Sequence, residues 1–246
     1  MPDKILIINN YDKGNYLRNI LSKGIPWNEE VVIFDGDSAI KKITILGETV
    51  NKVFSIFNIP FKELNDHIWL ENKDNIISVD RRYGDTIIEI LTPSINLFEI
   101  KEKLLHNGFE DIDDDSWNKY RIQVGILGNK EINDKIPFNV GMGQLVKMDK
   151  GCYPGQEIHA RLESRGKQNK ALVTLESKKY IDEGEYKINN GGKIIITTAI
   201  SDRGSSSKYF GIIPIEYTKK SKIVLLNLIE LEINKIIDLQ LLRSHH

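Results

Sequence analysis

Two hydrophobic periods divide the chain. Up to about residue 166, short apolar runs alternate with stretches where apolar residues return every three or four positions; beyond it only short runs remain, broken by glycine and polar turns. In the first part, residues 5–8, 31–34, 43–45, 67–70, 76–80 and 86–91 read as strands. Asp35-Gly36-Asp37-Ser38 and Asn72-Lys73-Asp74-Asn75 read as turns. The spacing predicts helices over about 14–21 and over 48–57, the second through Val50, Val53, Phe54 and Phe57. A further helix starts at Pro93 and Ser94, places Ile95, Phe98, Ile100, Leu104 and Leu105 on its apolar side, and stops at Gly108. Asp113-Asp114-Asp115-Ser116 offers N-caps to a helix with Trp117, Tyr120, Val124 and Leu127 on one face. Residues 125–143 read as a loop, and a helix start follows at Pro154.

Strand pairs alternating with helices predict an α+β class rather than a βαβ relay. After Lys167 the runs 171–175, 186–188, 193–198, 209–213 and 222–228 are strand-like, and Asn189-Asn190-Gly191-Gly192 is a hairpin signal. From there to about residue 236 the chain reads as an all-β module, a small barrel or sandwich. The domains expected are 1–166, made of two α+β lobes (about 1–60 and 61–166), and a barrel over 167–241.

Composition narrows the classes. With 246 residues the chain can bury a substantial core. Its 34 basic and 35 acidic residues give a formal charge of -1, so no global basic bias marks a nucleic-acid binder. One cysteine makes no internal disulfide and cannot hold zinc or an iron–sulfur cluster alone. No metal site is expected from this chain's residues alone. The opening apolar run is too short for a signal peptide or membrane span, so a cytoplasmic, membrane-free, monomeric protein is expected. Residues 242–246, which include Arg243-Ser244-His245-His246, look like a tag remnant, and their histidines enter no metal argument.

The candidate chemistry gathers around that cysteine. Cys152 lies just ahead of the expected helix start, where unpaired N–H groups favour a thiolate. Lys150 and Arg161 favour the thiolate further, and Asp149 opposes it. Cys152 reads two ways, as a small buried hydrophobe or as a working thiol. His159 reads as a half-buried or surface histidine, and as a candidate base. Arg161, Arg165, Lys167 and Lys170, with Arg81 and Arg82, form a basic set that suits a polyanion or a solvated face. Asp85 is a turn carboxylate able to accept hydrogen bonds from an amino-heterocycle.

Lys150-Gly151-Cys152-Tyr153-Pro154-Gly155-Gln156-Glu157, followed by Ala160-Arg161, closely resembles the signature of the YgfZ branch of the aminomethyltransferase-like superfamily. These are folate-binding proteins associated with iron–sulfur cluster assembly or repair. Leu162-Glu163-Ser164-Arg165-Gly166-Lys167 also fits that branch. Arg121-Ile122-Gln123-Val124-Gly125 resembles the superfamily's Arg-hydrophobic-Glu-Ala-Gly segment, with Gln123 in place of the acid. Asn139 stands two residues after Pro137, where the family often has an acid. Arg82-Tyr83-Gly84-Asp85 is similar to a stretch whose acid contacts the pterin ring in the glycine-cleavage aminomethyltransferase.

The resemblance implies a ring-like body of antiparallel sheets with helices, a central folate and a C-terminal β-barrel. It implies tetrahydrofolate, or a one-carbon-substituted folate, as cofactor, with Asp85, Tyr83 and Arg121 binding it. Cys152 becomes the working thiol, shaped by Lys150, Gly151, Tyr153, Gly155, Gln156, Glu157 and Arg161. The partners implied are iron–sulfur client or assembly proteins. Two alternatives stand beside this reading. One is a folate-dependent aminomethyltransferase, for which Asp35 and Asp37 are the nearest candidates for a catalytic aspartate; if the protein is an enzyme, this one-carbon transfer is its class. The other is an RNA-binding accessory of tRNA modification, using the basic face from Arg161 to Lys170.

Overall fold

The computed structural model describes residues 5–9, 14–47, 50–59, 69–81, 85–147, 151–153, 155–165, 168–201 and 206–238. By contact the chain divides into two compact units, Met1–Glu110 and Asp111–His246, whereas the sequence drew its boundary near residue 166.

The first unit holds helix α1 (Gly14–Lys23), strand β1 (Ile40–Ile45), helix α2 (Lys52–Ile56), strands β2 (Trp69–Asn72), β3 (Asn75–Asp80) and β4 (Ile87–Pro93), and helix α3 (Leu97–His106). The four strands form one antiparallel sheet in the order β1-β4-β3-β2. Register follows from burial. Ile77, Val79, Ile88 and Ile90 are sealed on β3 and β4, and α2 and α3 lay Val53, Phe54, Ile100 and Leu104 against them. The polar turn at 72–75 joins β2 to β3, with Lys73 in the left-handed region.

Two expected strands of this unit are absent. Residues 5–8 and 31–34 are irregular and mostly exposed, Ile5 at 81% and Phe34 at 85%. Neither run alternates with polar residues, so each had an apolar composition without a period to fix a face. The expected helix over 48–57 is shorter in the described residues, with α2 only one turn long. The start of the strand expected at 67–70 lies outside the described residues, and the helix from Ser94 opens as a 3₁₀ turn before α3.

The second unit begins with helix α4 (Asp114–Val124). The Asp113 carboxylate caps it, accepting the Ser116 N–H at 2.8 Å, and Gly125 ends it in the left-handed conformation. The stretch expected as a loop, 125–143, contains the one-turn helix α5 (Asn129–Ile132) and 3₁₀ turns at Pro137–Val140 and Gly143–Leu145. Helix α6 (Gln156–Arg165) follows.

Six strands complete the unit: β5 (Lys170–Ser177), β6 (Gly184–Lys187), β7 (Lys193–Ile200), β8 (Ser207–Pro214), β9 (Lys222–Val224) and β10 (Glu230–Ile236). Their antiparallel order is β6-β7-β8-β5-β10-β9. The sheet curls until its edges meet at one end. Beyond β6 and β9, Ile188 bridges Leu225, Asn189 N–H donates to the Val224 carbonyl at 2.9 Å, and Leu226 N–H donates to the Lys187 carbonyl at 3.0 Å. The result is a curled half-barrel, compatible with the expected C-terminal barrel, whose edge strands meet at the Ile188–Leu225 bridge. Val173, Leu175, Ile194, Ile196, Tyr209 and Leu231 fill the interior. The run expected over 222–228 is a strand and a turn, since Leu228 takes a positive φ of 63° before β10.

Helices and barrel are tied at several points. Ile122, Val140, Leu172, Phe210 and Ile237 form a second core of the unit. Lys235 Nζ donates to the Val124 carbonyl at 2.7 Å, a cation set against the end of α4.

Candidate functional site

The glycine-rich stretch before α6 has one strict conformational demand. Gly155 has φ +86°, and its carbonyl accepts the first intrahelical bond, from His159 N–H at 3.2 Å. A Cβ there would meet no atom within 4 Å among the described residues, so it is the left-handed backbone that favours glycine. The helix therefore opens after Gly155. Cys152 stands three residues further back, outside the first turn, where helix-dipole effects fall off. This corrects the expected placement at the helix N-terminus; Pro154 and Lys150 lie outside the described residues.

Cys152 is exposed, which removes the reading of a buried hydrophobe. Among the described residues, a Cβ built on Gly151 also meets nothing within 4 Å. The next residue anchors the segment. The Tyr153 hydroxyl lies 3.3 Å from His159 Nδ1, and their rings are 5.9 Å apart. The Phe138 ring also packs against the imidazole, centroids 5.7 Å apart. Phe138 in turn covers Gly143, where a Cβ would stand 2.7 Å from the ring. The thiol thus sits on a strap pinned through Tyr153, His159 and Phe138. Gln156 is half-buried at the helix start, while Glu157 and Arg161 are exposed on α6.

The segment under that strap is held just as tightly. Gly141 has φ +75°, and any Cβ there would be driven into the Ile237 carbonyl oxygen. Only glycine lets the chain cross the end of the barrel here.

Arg121 is a buried brace. Its Nη1 donates to Glu131 Oε2 at 2.6 Å, its Nη2 to Thr198 Oγ1 at 2.8 Å, and its Nε to Asn118 Oδ1 at 2.6 Å. Glu131, fully buried, also accepts from Gly128 N–H, Thr197 and Thr198 at 2.7–2.8 Å. Burial pushes the Glu131 carboxyl up. The Arg121 charge and the hydrogen bonds from Thr198, Thr197 and Arg121 outweigh it and hold the group below its usual range. Sequence reasoning missed Glu131, Thr197 and Thr198. Lys208 reaches the exposed Gln123, the residue that replaces the family's acid, at 3.5 Å.

Among the described residues two buried side-chain oxygens are left without a partner, Asn75 Oδ1 in the first unit and Asn139 Oδ1 in the second. Asn139 is 9% exposed, and its side-chain oxygen is sealed without a hydrogen-bond partner. An unmet group of this kind costs about 1–3 kcal/mol. The sequence flagged the position only as a departure from an acid.

In the first unit, Asp85 is exposed two residues ahead of β4, and Tyr83 lies outside the described residues. Asp35 and Asp37 line a cavity of about 100 Å³ with Ile7, Arg18 and Phe34. Ligand sites start near 300 Å³, so this cavity is too small for a folate. Of the basic set, Arg161 and Lys170 are exposed and Arg81 is half-buried; Arg82 and Lys167 lie outside the described residues. Among the described residues, no helix is long and apolar enough to cross a membrane.

No family model matches the chain. The fold is similar to that of the glycine cleavage system aminomethyltransferase T from Bartonella henselae. The TM-score is 0.62 at 18% identity, covering 75% of this chain and 55% of that one. The chain has the aminomethyltransferase-type fold, mixed helices and antiparallel sheets with a curled C-terminal sheet. Over 143 residues, 54% of this chain, it is 29% identical to the iron–sulfur cluster assembly factor IBA57 homolog, mitochondrial, of Dictyostelium discoideum. That match spans 35% of the relative, about a third of its length. Fold and sequence together bear out the resemblance to the aminomethyltransferase-like superfamily and its iron–sulfur assembly branch.

Proposed function

We propose that this protein binds tetrahydrofolate and supports iron–sulfur cluster assembly or repair through the thiol of Cys152. The observation that carries the reading is the exposed cysteine, with its neighbour Tyr153 pinned to α6 through His159. Such a thiol admits a bulky approach while its backbone stays in place. As a thiolate it donates one electron pair to an iron of a passing cluster and gives its proton to solvent. One thiolate is a single ligand, so the remaining ligands come from a partner protein or small thiols. The similarity to a named iron–sulfur assembly factor supports that class of partner.

The folate half draws on the fold and on the unpartnered side-chain oxygen of Asn139, an unmet acceptor of the sort a bound heterocycle satisfies. Bound folate would supply one-carbon or reducing chemistry. This chain's part is to orient it and exclude water. Arg121, with one donor each on Nη1, Nη2 and Nε engaged by Glu131, Thr198 and Asn118, acts as an internal brace of the second unit rather than as a folate contact.

Titration of the full chain with tetrahydrofolate is expected to show saturable binding below millimolar concentration; none would remove the folate half. The fold similarity to an aminomethyltransferase gives a second reading, one-carbon transfer. Methylenetetrahydrofolate formation that persists in Cys152→Ala would favour it, and no formation by wild type would remove it.

A further inference from the structure

The turn that follows the thiol is fixed twice through one residue. The Tyr153 carbonyl accepts the Gln156 N–H at 3.2 Å, closing a four-residue turn with Gly155 left-handed at its third position. The Tyr153 side chain reaches on to α6, its hydroxyl 3.3 Å from His159 Nδ1 and the two rings 5.9 Å apart. Backbone and side chain of the residue next to Cys152 are thereby both held.

The imidazole has a second neighbour of different origin. Phe138 lies on the 3₁₀ turn Pro137–Val140, its ring centroid 5.7 Å from that of His159. That turn belongs to the frame of the barrel. Val140 is buried with Leu172, Phe210 and Ile237, and Gly141 lies against the Ile237 carbonyl. The half-buried His159 therefore touches, at once, an element anchored in the barrel core and the turn that carries the thiol.

We propose that His159 is a positioning residue for Cys152, a clasp that holds the thiol's turn fixed relative to the barrel. This rests on the reading of Cys152 as the working thiol and adds what keeps that thiol in place. The residue type fits two tasks together. A flat ring packs on Phe138, and a ring nitrogen meets the Tyr153 hydroxyl. In either neutral tautomer the pair bonds, the hydroxyl donating to a bare Nδ1 or accepting from Nδ1–H. Phenylalanine would keep the first task only, and asparagine the second only. A thiol offered as one ligand to a partner's cluster gains from a fixed position, because ordering a loose segment on binding subtracts from affinity.

The test uses the full chain, whose one cysteine takes a nitroxide label at Cys152 alone. Electron paramagnetic resonance line shapes then report strap mobility in wild type, His159→Phe, His159→Asn, Tyr153→Phe and the double variant Tyr153→Phe, His159→Phe. The same variants, unlabelled, are compared for thermal midpoint and for restoring iron–sulfur enzyme activity in a strain lacking the protein. His159→Phe is expected to keep the midpoint and to raise the mobile-to-fixed ratio of the label about two- to tenfold, the factor one net hydrogen bond is worth. Restoration should fall with it. Tyr153→Phe should match, the double variant should be no worse than either single, and His159→Asn should stay closer to wild type in line shape. Unchanged mobility in His159→Phe, or raised mobility with full restoration, would overturn the assignment. A lower midpoint with the wild-type line shape would make the residue structural and overturn it too. Full restoration by Cys152→Ala would instead overturn the thiol reading, and this role with it. The line shapes separate the two failures, because they read the clasp without iron–sulfur chemistry.

Discussion

Removing the Glu131 carboxylate is the sharpest perturbation of the fold. Glu131 is fully buried and accepts hydrogen bonds from Arg121, Thr197, Thr198 and the Gly128 backbone, joining α4 and α5 to β7. Glu131→Ala leaves the Arg121 guanidinium buried at 6% exposure without its counter-charge. Breaking a buried pair from one side costs about 3–5 kcal/mol. With a urea slope of about 2 kcal/mol per molar, the midpoint should fall by roughly 2 M. Trp117 on α4 offers a fluorescence probe of the same unit. The double variant Arg121→Met, Glu131→Leu should recover much of the loss, because an apolar pair leaves no charge stranded. A loss below about 1 kcal/mol in Glu131→Ala, or a double variant worse than the single, would refute the reasoning.

Other outcomes follow from the same geometry. The Glu131 carboxyl is held low, so its stabilisation is complete above the ordinary carboxylate range and is lost as pH falls through its folded value. Glu131→Gln should therefore flatten the acid limb of a stability–pH curve; an unchanged limb would count against it. Gly155→Ala should cost about 1–2 kcal/mol, the price of a left-handed backbone alone. Gly141→Ala should cost clearly more in the same melt, since its Cβ also meets the Ile237 carbonyl; equal losses would deny that contact. Tyr209→Phe strands the Ile181 N–H and should lower stability by about 1–3 kcal/mol, read by denaturation.

The parts of the fold legible in the sequence are those with a period or a cap. The strands of the barrel were readable because inward residues such as Val173, Leu175, Ile194 and Ile196 recur between glycine turns. Asp113 announced α4 through its capping carboxylate. The runs at 5–8 and 31–34 misled because an unbroken apolar run records composition but not a face. Within the site, Cys152 was visible through its motif, yet its distance from the first helical turn depended on the φ of Gly155. Glu131 was invisible for a different reason. Its partners Thr197 and Thr198 are 66 and 67 residues away in sequence, and no local spacing records such a pairing. Arg121 drew notice through its motif, but only the folded unit shows its donors turned inward.

The central claim is that the exposed thiol of Cys152 is what the fold exists to present. The most direct measurement is iron–sulfur enzyme activity in a strain lacking its own copy of this protein, supplied with wild type or Cys152→Ala at equal soluble levels. Because Cys152 is exposed and its side chain braces no core, the variant should fold normally. It should then leave the iron–sulfur enzymes at the level of the empty vector while wild type restores them. Full restoration by Cys152→Ala would contradict the account.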